Sequence, residues 1–257
     1  MRAPSIQQQE QTMSGVALRT ASAFQAIAAF DQHIAATVWR ADQIGYCAAE
    51  VTATGYPELD AELPNGGWPA STLIELLLQQ PGIGEIRLLQ PALAVIAKQR
   101  RVVLVQPPHA PQIAAWSAWG LPHEQLLWLK TPHTADALWS AEQILRNGSC
   151  GALLLWQNQT RPEALRRLHL AAQAANTVFW MLRPLAAAVQ PSPAPLRLAL
   201  RPDAAGIAIE IVKRRGPLAA APLHLPLPMP VPAIAVSDSC AQHHASLARP
   251  VPATAAA

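Results

Sequence analysis

Residues 72–89 read TLIELLLQQPGIGEIRLL: an apolar run, a turn holding two glycines, and a second apolar run. The order strand, glycine-bearing turn, helix is that of a nucleotide phosphate loop. Such a loop reads G-x-x-x-x-G-K-[ST], with a lysine that reaches the phosphates and a hydroxyl that holds Mg²⁺. Setting Gly84 at the second glycine puts Gln79 at the first, with Gly82 between them. Glu85 then replaces the lysine and Ile86 the hydroxyl residue. A carboxylate facing a triphosphate sets like charges together in a site built for anions. The helix N-terminus still offers free amides and partial positive charge, a field in which Glu85 is itself a favourable first-turn acid. Taken alone, PGIGE reads equally as an ordinary strand-to-helix turn. On either reading the loop is non-catalytic.

Working outward, the text alternates. STLIELLL is a strand, and IRLLQPALAVIAKQ is helical with Pro91 inside it. RVVLVQ is a buried strand, followed by APQIAAWSAWG, where Ile113, Trp116 and Trp119 share a helical face. EQLLWLK superficially matches a sliding-clamp peptide, but it falls where a strand belongs and is assigned to the core. ADALWSAEQILRNG is a helix stopped at Asn147-Gly148. GALLLWQ is a buried strand. RPEALRRLHLAAQAAN opens with a proline in its first turn and turns Leu165, Leu168 and Ala172 inward; TVFWMLR is a further strand. Strands apolar on both faces and separated by helices predict an α/β fold, a mostly parallel sheet covered by helices. LRLALR and IAIEIVK alternate apolar and polar around PDAAG, which predicts a C-terminal antiparallel hairpin at the sheet edge.

Four segments follow. Residues 1–17 are polar, glutamine-rich and expected to be disordered, and Met13 is an alternative start. Residues 18–49 carry a helix with Phe24, Ile27, Phe30, Ile34 and Val38 at helical spacing, and then a linker. Residues 50–216 form the core domain. Residues 217–257, dense in proline and alanine, read as a disordered tail.

Composition narrows the function. Lys+Arg 19 against Asp+Glu 16 gives a net charge of +3, too small to announce a nucleic-acid binder. Charged residues are only 14%, so part of the surface is apolar or covered by a partner. Eight tryptophans against three phenylalanines and two tyrosines are read chiefly as large buried side chains, with room for interface anchors. Cys47, Cys150 and Cys240 are odd in number and far apart, which argues against a zinc site or a disulfide framework. The histidines at 109, 123, 133, 169, 224, 243 and 244 form no metal spacing. No signal peptide or membrane span is read, and the reducing cytoplasm is the expected compartment. No G-x-S-x-G string or catalytic triad is present. Arg161, Arg166 and Arg167 lie on one predicted helix and read as a solvated face.

Several strings carry a resemblance: ATG-YPELD with Leu59-Asp60, ELPNGGWPASTLIELL, NTVFWMLR and GIAIEIVKRRGPLAA, spread over residues 50–217. Together they resemble the core of the RecA recombinase. The GGW turn, VWR at 38–40 and the proline-rich tail narrow the resemblance to the translesion synthesis-associated ImuA family, RecA-like proteins related to the SulA cell-division inhibitors. The resemblance implies a RecA-like core that is a pseudo-ATPase. The acid ending the Walker B strand falls at Trp156, and the glutamate that orients the attacking water falls near Pro108. No cofactor and no metal are implied. The loops that contact DNA in RecA correspond to QNQTRPE and PLAAAVQPSPAP; the second has no basic residue, so DNA contact is expected only indirectly. Lys213 and Arg215 fall where the recombinase carries two lysines that reach a neighbouring subunit's ATP; a solvated strand end is the competing reading. The resemblance implies a non-enzymatic accessory protein of the SOS DNA-damage response. Its partners would be RecA and a Y-family-like translesion polymerase subunit. The alternative is a SulA-type inhibitor of the tubulin-like division protein.

Overall fold

The computed structural model of the chain describes residues 50–216 and 221–227. The segments expected within 1–17 and 18–49 lie outside those residues. A small antiparallel ribbon, β1 (Val51–Thr52) with β2 (Trp68–Pro69), brackets a short helix, α1 (Pro57–Glu62). The glycine turn before β2 delivers Trp68 into the core, where its ring meets Trp180 edge-on at 5.7 Å. Such T-shaped pairs contribute about 0.5–1.5 kcal/mol beyond area burial.

The strands expected from the apolar runs all form: β3 (Thr72–Leu78), β4 (Val102–Val105), β5 (Leu126–Leu129), β6 (Ala152–Trp156), β7 (Val178–Pro184), β8 (Leu196–Pro202) and β9 (Gly206–Lys213). They join β10 (Leu223–Pro226) in one eight-stranded sheet of order β10-β9-β8-β3-β7-β6-β4-β5. β3 to β8 run parallel. β8 and β9 make the expected antiparallel hairpin, which attaches through β8 lying parallel to β3. The result is a mixed α/β fold with a mostly parallel sheet covered by helices.

Cover on both faces follows from the two-sided apolar strands. Ile74, Leu104, Leu154 and Trp180 pack with α1, with α2 (Glu85–Ile96) and with Trp116 of α3 (Ile113–Ala118). Leu73, Val103, Leu153 and Phe179 pack with α4 (Thr134–Asn147) and α5 (Pro162–Gln173). α4 ends where expected, with Gly148 in the left-handed region at φ 58°. In α2, Pro91 has no N–H to offer the Arg87 carbonyl one turn back. The Tyr56 hydroxyl donates to that carbonyl instead, at 3.2 Å. Among the described residues no helix is long and apolar enough to cross a membrane.

Three expectations are corrected. EQLLWL is not core: β5 is the last strand of the sheet, and Leu127 and Trp128 are 44% and 45% exposed. Ile113 does not share the buried face of Trp116 but points to solvent. The tail from 217 is not wholly outside the fold, because Leu223–Pro226 pair antiparallel with β9 and bury Leu225 and Leu227. Residues 228–257 lie outside the described residues. Of the described tryptophans, Trp68, Trp116, Trp156 and Trp180 are buried, as the composition suggested.

Candidate functional site

The loop between β3 and α2 sits at the carboxyl end of the parallel strands, where open α/β sheets present ligand crevices. Its two glycines have positive φ, Gly82 at 84° and Gly84 at 112°. The amides of both glycines are already engaged. Gly82 N–H donates to both carboxylate oxygens of Glu85, at 2.9 and 3.1 Å, and Gly84 N–H donates to Oε2 at 3.2 Å. Glu85 is buried at the first position of α2, so its negative charge stands in the positive field of the helix N-terminus. Glu85 therefore supplies the anion that this turn holds. Main-chain donors that bind phosphate in a working loop are spent on a carboxylate.

The chain also closes the loop from outside. A Cβ built on Gly84 would lie 2.9 Å from Leu227 Cδ1, so the segment after β10 rests directly on the loop. Gln79 is exposed and its N–H donates to the Leu200 carbonyl at 3.1 Å; Ile86 is half-buried against the core. Trp156 ends β6 with its ring buried and its Nε1 without a hydrogen-bond partner. Pro108 is exposed beyond β4. The structure thus gathers the loop positions around Glu85 and sets Pro108 and Trp156 on other strands' carboxyl ends. It puts no carboxylate at either of those two positions.

Lys213 and Arg215 lie elsewhere. Lys213 pairs with Arg197 in the β8–β9 ladder, near the start of β8, whereas the loop follows the end of β3 beside Leu200. The basic arm and the loop are therefore at opposite ends of the sheet. Lys213 Nζ donates to the Ser192 carbonyl at 3.0 Å. His169 of α5 comes close enough to feel both cations: burial first, then Lys213 and Arg215, hold its pKa below the usual imidazole value. Gln173 Nε2 lies 3.4 Å from its Nε2. Arg167, expected on a solvated face, stays largely exposed and reaches Glu142 at 3.5 Å.

One group escaped the sequence reading. Glu75 of β3 is fully buried between two arginines. Arg183 Nη1 donates to its Oε1 at 3.0 Å and Arg197 Nε to its Oε2 at 2.6 Å. Arg197 also reaches the Ala187 and Ala188 carbonyls, and Arg183 the Gln190 side chain. The triad pins the connection 185–195 onto β3 and β8, on the sheet face where Leu77 and Ala199 meet Ala187. Removing one partner from such a buried network costs about 3–5 kcal/mol. The available signal was a single acid in the otherwise apolar TLIELLL, with one arginine in each of VFWMLR and LRLAL.

No protein-family model matches the chain. It is similar to the cell division inhibitor SulA of Edwardsiella piscicida, 31% identical over 109 residues, which are 40% of this chain and 65% of that protein. The chain thus spans 65% of the length of the curated relative it matches. A crystal structure of SulA from Pseudomonas aeruginosa aligns at 26% identity, covering 45% of this chain and 99% of that one with a TM-score of 0.38.

Proposed function

We propose that this chain is a non-enzymatic protein of the SOS DNA-damage response, built on a RecA-like core, that acts by docking on protein partners. The observation that carries the non-enzymatic part is the Glu85 carboxylate held by Gly82 and Gly84 N–H groups where a phosphate would sit. The parallel order β8-β3-β7-β6-β4-β5, with a glycine loop at the end of β3, supports a RecA-like core. The sequence likeness to SulA supports the damage-response setting. Within that setting the reading favoured by the GGW turn and the Lys213–Arg215 arm is an ImuA-type accessory role, with RecA and a Y-family-like polymerase as partners. A second reading, inhibition of the tubulin-like division protein, is favoured by the identity of the curated relative.

Two measurements test the proposal. Calorimetry with Mg·ATP and a phosphate-release assay should both be blank for the full chain. Micromolar binding, or turnover that depends on Glu85, sinks the pseudo-ATPase reading. Partner choice is then read by titrating the purified chain against RecA filaments and against polymers of the division protein. Binding to RecA filaments without effect on division-protein assembly supports the accessory role; the reverse supports the inhibitor.

A further inference from the structure

The charges of the buried Glu75 network do not cancel. Glu75 brings one negative charge, while Arg183 and Arg197, both buried, bring two positive ones. Among the described residues Glu75 is the one acid that either arginine meets. The surroundings supply no second acid. The connection over the network, LAAAVQPSPAP at 185–195, has none, and neither has the neighbouring stretch ALLLWQNQT at 152–160. Glu163, the next acid along, is exposed. A positive charge left over in a buried network is costly unless an opposite charge joins it.

The two arginines are not equally served. Arg197 spends Nε on Glu75, and Nη1 and Nη2 on the Ala188 and Ala187 carbonyls, so all of its nitrogens are engaged. Arg183 spends Nη1 on Glu75 and Nη2 on the Gln190 side chain, but its buried Nε has no hydrogen-bond partner. Surplus charge and a missing acceptor therefore coincide at Arg183. A buried N–H in a folded protein finds an acceptor, and one left over marks the place of a water or an ion. The charge decides between the two. Water would satisfy the N–H and leave the cation uncompensated, whereas an anion meets both needs. Size follows from burial: the Arg183 side chain is 0% exposed, so the anion is enclosed by the fold and is small. A phosphate of a polymer backbone does not reach it.

We infer that the Glu75–Arg183–Arg197 network encloses one small monoanion of the chloride class, bound at Arg183 Nε under the connection 185–195. The anion is taken up as the chain folds, because the guanidinium that holds it is covered only in the folded state. It stabilises the protein by mass action, as any ligand does that binds the folded chain and not the unfolded one.

Bromide, of the same charge and similar size, is the probe, because its anomalous scattering locates it. Crystals of the full chain grown in sodium bromide should show an anomalous peak at hydrogen-bond distance from Arg183 Nε. In solution, chloride should replace gluconate at constant ionic strength. The melting temperature of the full chain should then rise by about 5 °C or more and level off. Arg183→Met removes the surplus charge and the unpartnered N–H together, so its melting should not respond to chloride. If that variant fails to fold, the two wild-type measurements still decide. A water at Arg183 Nε, or a carboxylate from residues 1–49 or 228–257 in its place, overturns the inference. So does wild-type melting that is the same in both salts, or a folded Arg183→Met that responds to chloride as the wild type does.

Discussion

At the scale of single residues, buried charges are met by partners within the chain. Glu85 shows how much a sequence can say: an acid at the lysine position, one residue after a glycine turn, was readable as a first-turn partner of the helix N-terminus. The structure adds that it holds both glycine N–H groups. Glu75 shows the limit. A lone acid in a buried strand must have a cation, but only the pairing of β3 with β7 and β8 reveals that it has two. His169 is the residue with a pH consequence. Burial, then Lys213 and Arg215, lower its pKa below the usual 6.5. For a base whose folded pKa lies below its unfolded one, the unfolded chain takes the proton first. Stability is therefore unaffected above about pH 6.5 and falls as the pH drops from there toward the folded pKa. His169→Gln should flatten that part of the stability–pH curve. Replacing Lys213 and Arg215 with Ala should raise the His169 pKa in an NMR titration. A histidine that titrates at its ordinary value, unmoved by the double replacement, refutes the contact.

At the scale of elements, the strands and helices of the parallel core were legible because each run had one period and clear stops. RPEALRRLHLAAQ, with its first-turn proline, became α5 with the anticipated Leu165, Leu168 and Ala172 buried. What failed was position in the sheet. LLWL is as apolar as an interior strand, and nothing local says that it comes last in the strand order. The prolines of PLHLPLP hid β10, although Leu223, Leu225 and Leu227 alternate as a strand should. An edge strand tolerates proline where the missing N–H faces away from the ladder. β9 fits this neighbour closely: a Cβ on Gly206 would lie 2.1 Å from the Leu225 carbonyl oxygen. Ending the chain after Gly216 should therefore hurt. Two leucines leave the core, each worth roughly 1.5–3 kcal/mol, and Ile207 and Ile209 lose cover. The melting temperature should fall by about 10 °C, whereas ending after Pro228 should restore most of it. Equal melting for both truncations and the whole chain would show that β10 adds nothing to the fold.

At the scale of the whole molecule, the loop and the basic arm sit at opposite ends of the strands of one sheet. A recombinase filament is a head-to-tail assembly, in which one subunit's ATP face meets the next subunit's arm. On the function proposed above, this chain keeps the arm while its own loop is filled by Glu85 and overlaid by Leu227. Such a molecule can dock on the exposed ATP end of a RecA filament but offers the next subunit no nucleotide. It would end a filament rather than extend one. Lys213 donates to the Ser192 carbonyl on the connection 185–195, a bond it must exchange for the triphosphate on docking. Two cations beside a bound triphosphate make charge-assisted hydrogen bonds worth about 1.5–3 kcal/mol each. Lys213→Ala with Arg215→Ala should then weaken binding to RecA–ATP filaments by about a hundredfold or more, with the thermal unfolding of the variant unchanged. RecA without nucleotide should bind the wild type less tightly, and the double variant should lose little further there. Equal affinity of variant and wild type for RecA–ATP, or indifference to nucleotide, rules out docking through the arm and moves the contact to another surface of the protein.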